Sequence, residues 1–419
     1  MMRIAGLLLL AAALPMVAAA QDTAGAPGVR LGITYNPGMR PRIVILPGAL
    51  DSARTIVQRD LDYSDLFEVI ATPPSQSARG GGGSGELNYQ LYRTLGADYG
   101  VEIAPATTGV TVRLHDVGSS RVAREQVFAL GAPGSAGFRM EVHRISDEVV
   151  RWITGLPGIA ATRLLLVVGP RVYRVDSDGA GLTPITPEGE KALSPAWSPD
   201  GSLFAYTRFE NGRGSIVIQD LAGGQRQILA STGENLNITP AFSPDGRVIA
   251  FARADEGGTH IYRADATRNC CVTRLTVGRF ADNLSPTFSA DGRRIAHVST
   301  RSGLPQIYVM DADGTDQELF APFDYGVTGS SNAPDWSPDG ASVTFHRDVS
   351  RAPQIFVLDV NSRRVRQLTS SGRNEDPTWA PDGRHIAFVS DRGGRQQLWV
   401  IDMETGRIRA LPTPAGARL

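Results

Sequence analysis

The residue types able to do chemistry in this 419-residue chain are six histidines, the adjacent pair Cys270-Cys271, two Asp-Gly turns and one glycine run. DSDG at Asp176 and DADG at Asp311 carry oxygens of the kind a calcium loop uses. Neither continues into the full ligand loop with its closing Glu, so both read as turns. ARGGGGSG, from Ala78 to Gly85, is followed by Glu86 where a phosphate-binding loop needs Lys and then Ser or Thr. It reads as a surface loop. A G-x-S-x-G nucleophile elbow is absent. Adjacent cysteines cannot staple distant segments; a vicinal disulfide in an oxidising compartment and two thiols in a turn both stay open. These observations predict no catalytic residue, no metal and no cofactor.

The elements that hold these groups come from a repeat. SPAWSPDG at Ser194 returns as TPAFSPDG at Thr239, SPTFSADG at Ser285, APDWSPDG at Ala333 and DPTWAPDG at Asp376, spacing their aromatics by 45, 46, 48 and 43 residues. Behind each octet lie an apolar alternating run, a second run ending in Asp (Asp220, Asp265, Asp311, Asp359, Asp402) and a short fourth run. Four short strands per unit at this period predict radially repeated sheets, a β-propeller of WD40-like units. Pro, Asp and Gly make the tail of the octet a hairpin turn. A sixth Asp-ended run, Val172 to Asp176, raises the count from five blades to six. The first blade lacks an octet, which leaves residues 412–419 or 155–160 to close the ring.

In this register His297 replaces the core aromatics Phe251 and Phe388, and His346 falls with Ala252 and Val389 on the other strand face. His260 aligns with Gln306, Gln354 and Gln397, while His385 sits beside a hairpin turn. They converge nowhere, which opposes a histidine metal site. Antiparallel pairing gathers the Pro-Asp-Gly and Asp-Gly turns on one face of the ring. The opposite face collects Arg208, Arg253, Arg301, Arg347 and Arg392 just after the second strands. It also collects Asn237, Asn283, Ser331 and Asn374, where the inner strands enter beside the channel. Basic and amide groups around one channel mouth predict a site for an extended acidic or polar peptide.

Upstream the pattern is mixed. Arg42 to Leu46 predicts a strand, Asp51 to Leu61 a helix begun by an Asp cap, and Leu87 to Leu95 a second helix. Strands follow at 98–103, 109–116 and 121–130. A helix over 135–153 has Phe138, Val142, Ile145, Val149 and Trp152 on one face. The first 20 residues read as a secretory signal cut between Ala20 and Gln21, so the mature chain is expected to be exported. The resulting division is 1–20 signal, 21–158 α/β domain with an N-terminal arm, and 159–419 propeller. Lys and Arg (42) nearly balance Asp and Glu (43), which argues against non-specific nucleic-acid or membrane-surface binding.

With these pieces in order, the chain resembles the TolB family, periplasmic components of the Tol-Pal envelope system. The resemblance rests on RDLDYSDLF (Arg59 to Phe67), LGADYGVEI (Leu95 to Ile103), VRLHDVGSS (Val112 to Ser120), ISDEVVRWITGLPG (Ile145 to Gly158) and the PAWSPDG series. It implies an α/β domain followed by a six-bladed propeller, and a non-enzymatic adaptor that acts as a monomer. The peptidoglycan-associated lipoprotein Pal would dock at the channel mouth on Asn237, Asn283, Ser331, Asn332 and Asn374 with Arg253, Arg301 and Arg347. TolA of the inner-membrane complex would meet the arm at Gln21, Asp22, Val29 and Arg30. The role implied is outer-membrane integrity and cell division. The alternatives are a propeller hydrolase or lyase and an envelope glycan binder, for which Tyr325 is the nearest aromatic at the mouth.

Overall fold

A computed structural model describes residues 40–71, 87–221, 225–229, 235–268, 270–278, 281–322, 329–414 and 416–419. The expected signal cut, the arm from Gln21 to Arg30, the glycine run 78–85 and Tyr325 lie outside them.

The first part is a five-stranded sheet in the order β2-β1-β3-β4-β5, with β1 (Arg42–Ile45) parallel to β2 (Glu68–Ile70) and β3 (Tyr99–Ala106). β4 (Gly109–Asp116) and β5 (Arg121–Phe128) continue it antiparallel. Helix α1 (Asp51–Tyr63) packs with α3 (Phe138–Thr154); the short α2 (Tyr89–Thr94) covers Val44 and Leu46 through the buried Tyr92. The predicted apolar stripe of α3 is buried from Phe138 to Val149, and Gly155 ends the helix at φ 73, a left-handed conformation that glycine adopts without strain. The expected Asp51 cap differs: Leu50 occupies the cap position, and Asp51 is the first helical residue, held by Arg54 one turn on.

The rest is antiparallel meanders. β6 (Arg163–Val168), β7 (Arg171–Asp176) and β8 (Thr183–Pro184) form a three-stranded sheet. β9 (Lys191–Trp197), β10 (Leu203–Glu210), β11 (Arg213–Asp220) and β12 (Arg226–Leu229) form a four-stranded one. The next sheet holds two meanders. They are β13 (Asn237–Phe242), β14 (Val248–Asp255), β15 (Gly258–Asp265) and β16 (Cys270–Arg274), then β17 (Ala281–Phe288), β18 (Arg294–Ser299), β19 (Gln306–Asp311) and β20 (Glu318–Leu319). Two parallel pairs between β15 and β17 join them. Four-stranded sheets follow from β21 (Ser331–Trp336), β22 (Ser342–Val349), β23 (Ala352–Asp359) and β24 (Val365–Gln367), and from β25 (Asn374–Trp379), β26 (His385–Ser390), β27 (Gln397–Asp402) and β28 (Ile408–Ala410). The hydrophobic core lies between adjacent sheets: Ala296, Val298, Trp336, Phe345 and Phe356 pack in one such layer.

The octet makes two devices. At its tail Ser243 donates to Asp245 at 2.6 Å and accepts from the Val248 N–H at 3.0 Å, and Gly246 takes φ 70 to close the hairpin. The same Ser-x-Asp bond recurs at Ser198, Ser289 and Ser337. At its head, Ser194, Thr239, Ser285, Ala333 and Asp376 all hold φ of 50 or 51, directly before proline. A right-handed helical conformation is blocked there, and each of these inner pairs shifts register at that point, a β-bulge that turns the strand.

The tail closes the first sheet. Val167 and Arg418 exchange backbone hydrogen bonds of 2.7 and 3.0 Å, and Leu411 and Ala417 are buried against Leu166, Val175 and Leu398. The alternative segment stays in the linker, where Ala160 and Ala161 N–H groups bind the Asp147 carboxylate at 2.7 and 2.9 Å. Cys270 and Cys271 are joined as a vicinal disulfide on β16, with Cys271 at φ 66.

Candidate partner-binding site

Each inner strand that begins with the predicted polar residue places it inside the fold. Asn283 accepts from Arg301 Nη2 at 3.1 Å and donates to the Thr259 carbonyl of the preceding meander at 3.0 Å. Asn237 accepts from Arg253 Nε at 2.8 Å and donates to Gly214 O at 3.1 Å. Asn374 accepts from Arg392 Nη2 at 2.7 Å and donates to the Gln354 side chain at 2.8 Å. Ser331 accepts from Arg347 Nε at 3.0 Å. The arginines lie over aromatics of their own sheets: Arg253 over Tyr262 at 4.9 Å, Arg301 over Tyr308 at 4.6 Å, Arg347 over Phe345 at 5.1 Å and Arg392 over Phe388 at 5.2 Å. Burial lowers the pKa of Arg253, Arg301 and Arg392.

This corrects the exposure expected of these residues. Asn283, Ser331 and Asn374 are 0 % exposed, Asn237 5 %, and Arg253 and Arg347 7 %. An amide with its oxygen on a guanidinium and its nitrogen on a group of the preceding meander is a clasp between meanders, and a docking partner cannot reach it without opening that clasp. Arg301 is exposed, Arg208 and Arg392 are half-buried, and Asn332 is half-buried beside Ser331.

The same face also presents apolar side chains. Leu193 at the start of β9, Val277 in the loop before β17 and Leu304 in the loop before β19 are 40 %, 74 % and 47 % exposed. Sequence reasoning followed charge and amides and passed over them. The available signal was an apolar residue within a polar or Gly/Pro loop, as in Thr276-Val277-Gly278 and Gly303-Leu304-Pro305. Behind this face the channel opens as a cavity of about 650 Å³, bordered by Ala196, Ala241, Thr287, Asp335 and Thr378 of the inner strands and by Asp60 and Tyr63 of α1. Asp335 spans strands, accepting from Thr378 Oγ1 at 2.9 Å and Trp379 N–H at 2.8 Å; burial pushes its carboxyl up.

The α/β part meets the propeller on the turn face through two ion-pair groups. In one, Asp60 of α1 binds His143 Nδ1 at 2.8 Å and Ser146 Oγ at 2.6 Å, while Asp178 takes Arg59 and Arg139. Asp176 takes Arg139 and Arg163, each at 3.3 Å. In the other, Asp65 takes His385, Arg407 and Arg409 at 3.2, 2.9 and 3.3 Å, and Arg384 binds Asp402. Burial raises the Asp402 carboxyl, and Arg384 with nearby hydrogen bonds outweighs it, leaving a pKa of about 2. The Asp and His types here suit a metal, but guanidinium groups already hold Asp65, Asp176, Asp178 and Asp402, and Asp60 is taken by His143 and Ser146, which fits a docking interface better. The predicted histidine register is as read: His297 pairs Tyr308 where Phe251 pairs Tyr262 and Phe388 pairs Trp399. His385, read as lying beside a turn, reaches across to the α/β part.

The family model described as the TolB beta propeller domain matches residues 150–322 and 325–417. Similar curated proteins include the "Tol-Pal system protein TolB" of Haemophilus influenzae (strain PittGG), 31 % identical over 46 % of this chain and 48 % of that protein. The one of Methylococcus capsulatus is 34 % identical over 42 % of this chain and 43 % of that protein. The chain thus spans about half the length of the curated relatives it matches. The crystal structure of TolB from Acinetobacter baumannii superposes with a TM-score of 0.76 at 25 % identity, covering 92 % of this chain and 97 % of that one.

Proposed function

The chain belongs to the TolB β-propeller family, and from that premise we propose that it is a non-enzymatic adaptor of the Tol-Pal system, working in the periplasm. Among the described residues no helix is long and apolar enough to cross a membrane. Counting each meander as a blade gives six, with the α/β domain ending near residue 158 and the propeller filling 159–419. The peptidoglycan-associated lipoprotein docks on the loop face around the channel, and the inner-membrane Tol complex, through TolA, takes the segment from Gln21 to Arg30. Linking the two supports outer-membrane integrity and division. The protein acts as a monomer and joins the outer membrane only through the lipoprotein.

The observation that carries this reading is the exposure of Leu193, Val277 and Leu304 on the loop face, with the exposed Arg301 in the same loop as Leu304. Exposed apolar side chains with an arginine among them match the apolar core and Arg enrichment of protein interfaces. The arginine-saturated carboxylate groups support the non-enzymatic assignment. Crosslinking in intact cells from a photoreactive residue placed at Leu304 tests it. Capture of the lipoprotein is expected; crosslinks to other envelope proteins with none to the lipoprotein refute the assignment.

A further inference from the structure

His385 stands where the α/β part and the last sheet meet, 1 % exposed, with a carboxylate on each ring nitrogen. Nδ1 is 2.6 Å from Asp382 Oδ2 of its own hairpin, and Nε2 is 3.2 Å from Asp65 Oδ2, in the turn after α1. A neutral imidazole has one N–H, so one of these carboxylates would face a lone pair. Only the imidazolium donates to both.

The surrounding charges favour the same state. Four carboxylates, Asp62, Asp65, Asp382 and Asp402, gather here against three guanidinium groups: Arg384 at the start of β26, Arg407 before β28 and Arg409 on β28. Asp62 and Glu404, 42 % and 51 % exposed, are both partly screened by water. Carboxylates still gather closely around the ring, which favours its charged form. The group at the other end of the interface differs. There Asp176 and Asp178 share Arg139 and take Arg163 and Arg59 respectively, while Asp60 is met by His143 and Ser146 of α3, within the α/β part itself.

The geometry points to an acid-strengthened clasp: protonated His385 bridges Asp382 to Asp65 and holds the α/β part on the propeller, and loss of that proton loosens the contact. Burial pushes the ring's pKa down, but the Asp382 and Asp65 carboxylates outweigh it and hold the value above the ordinary one. A group whose pKa is raised on folding stabilises fully below its unfolded value, and that stabilisation is lost as pH rises through the folded value. The α/β part is therefore held most firmly at mildly acidic pH and less firmly towards alkaline pH. The clasp couples external proton concentration to the placement of the domain opposite the loop face, a control that the adaptor role does not itself require.

Hydrogen exchange of the peptide spanning 60–67 in the full chain, corrected for intrinsic rate, tests the inference between pH 5.5 and 9. Protection should fall by up to about tenfold per pH unit across the window in which the ring releases its proton. The His385→Gln variant should lack that pH-dependent component. The ring is followed independently by NMR in the wild-type chain, so a poorly folded variant does not block the test. A ring titrating above about 6.5 is expected. A ring titrating at or below that value, or the same exchange profile in wild type and His385→Gln, overturns the clasp.

Discussion

His297 is a histidine in a phenylalanine's place. It pairs with Tyr308 as Phe251 pairs with Tyr262 and Phe345 with Phe356, and both of its ring nitrogens are buried without a hydrogen-bond partner. Burial, with the nearby Arg301 charge, lowers its pKa to about 3. The unfolded chain accepts the proton near the ordinary value of about 6.5. A depressed folded value means that stability is full above about 6.5 and is lost as pH falls towards about 3. Each unit of difference corresponds to about 1.4 kcal/mol, so the site removes about 2 kcal/mol between pH 7.5 and pH 5, and nearly 5 kcal/mol below pH 3. His297→Phe abolishes that loss. At pH 7.5 it also removes two unsatisfied polar atoms, a gain of about 1–3 kcal/mol less any strain from the larger ring. Urea titrations of wild type and variant at pH 7.5 and 5 measure both effects. The reasoning fails if both proteins lose the same stability on acidification.

Asn283→Ala should destabilise by about 1–3 kcal/mol, because it leaves Arg301 and the Thr259 carbonyl short of a bond inside the fold; equilibrium denaturation with an unchanged midpoint would return Asn283 to the surface. Removing residues 412–419 takes away the Val167–Arg418 pair and the Thr413 bond to the Leu398 N–H, about 3 kcal/mol at about 1 kcal/mol each before any lost apolar burial. A clear fall in the thermal midpoint is expected, and an unaltered midpoint would show that another segment closes the ring. Glu102 is held at about 2 by its hydrogen bond from His115, against burial and with Arg113 assisting. Its share of stability is present above the ordinary carboxylate value and is lost as pH falls through about 2. Glu102→Gln should flatten that acid limb in a pH-dependent melt.

The repeat was legible because its chemistry is local. Ser-Pro-Asp-Gly closes the same hairpin wherever it stands, and an Asp-ended strand marks the third position even in the first sheet, where the octet is missing. Covering was not legible. Asn237 and Asn283 read as mouth residues because strand direction gives the face, whereas their burial depends on an arginine from the next strand and a carbonyl from the preceding meander. A hint existed: each polar residue is followed 16 or 18 positions later by its arginine, and a fixed pair is more economical as a bond than as two independent surface groups. The bulge was hidden for a related reason. Proline in the octet was assigned to the turn at its tail, while the left-handed residue ahead of the first proline depends on contacts across the ring, such as the Ser285 N–H on Thr239 Oγ1 at 3.2 Å. The closing tail lacks a strand-like pattern because one bridge and a few buried apolar side chains suffice there.

The central claim, that the loop face with Leu193, Val277 and Leu304 receives the peptidoglycan-associated lipoprotein, is tested by calorimetric titration of the full chain with that lipoprotein's soluble domain. Saturable binding is predicted. Val277→Asp with Leu304→Asp should weaken it at least about tenfold, since burying a Val or Leu side chain in a contact stabilises by about 1.5–3 kcal/mol and an Asp there loses it, and the melting temperature should not change. No binding by the wild-type chain, or full affinity in the double variant, contradicts the account.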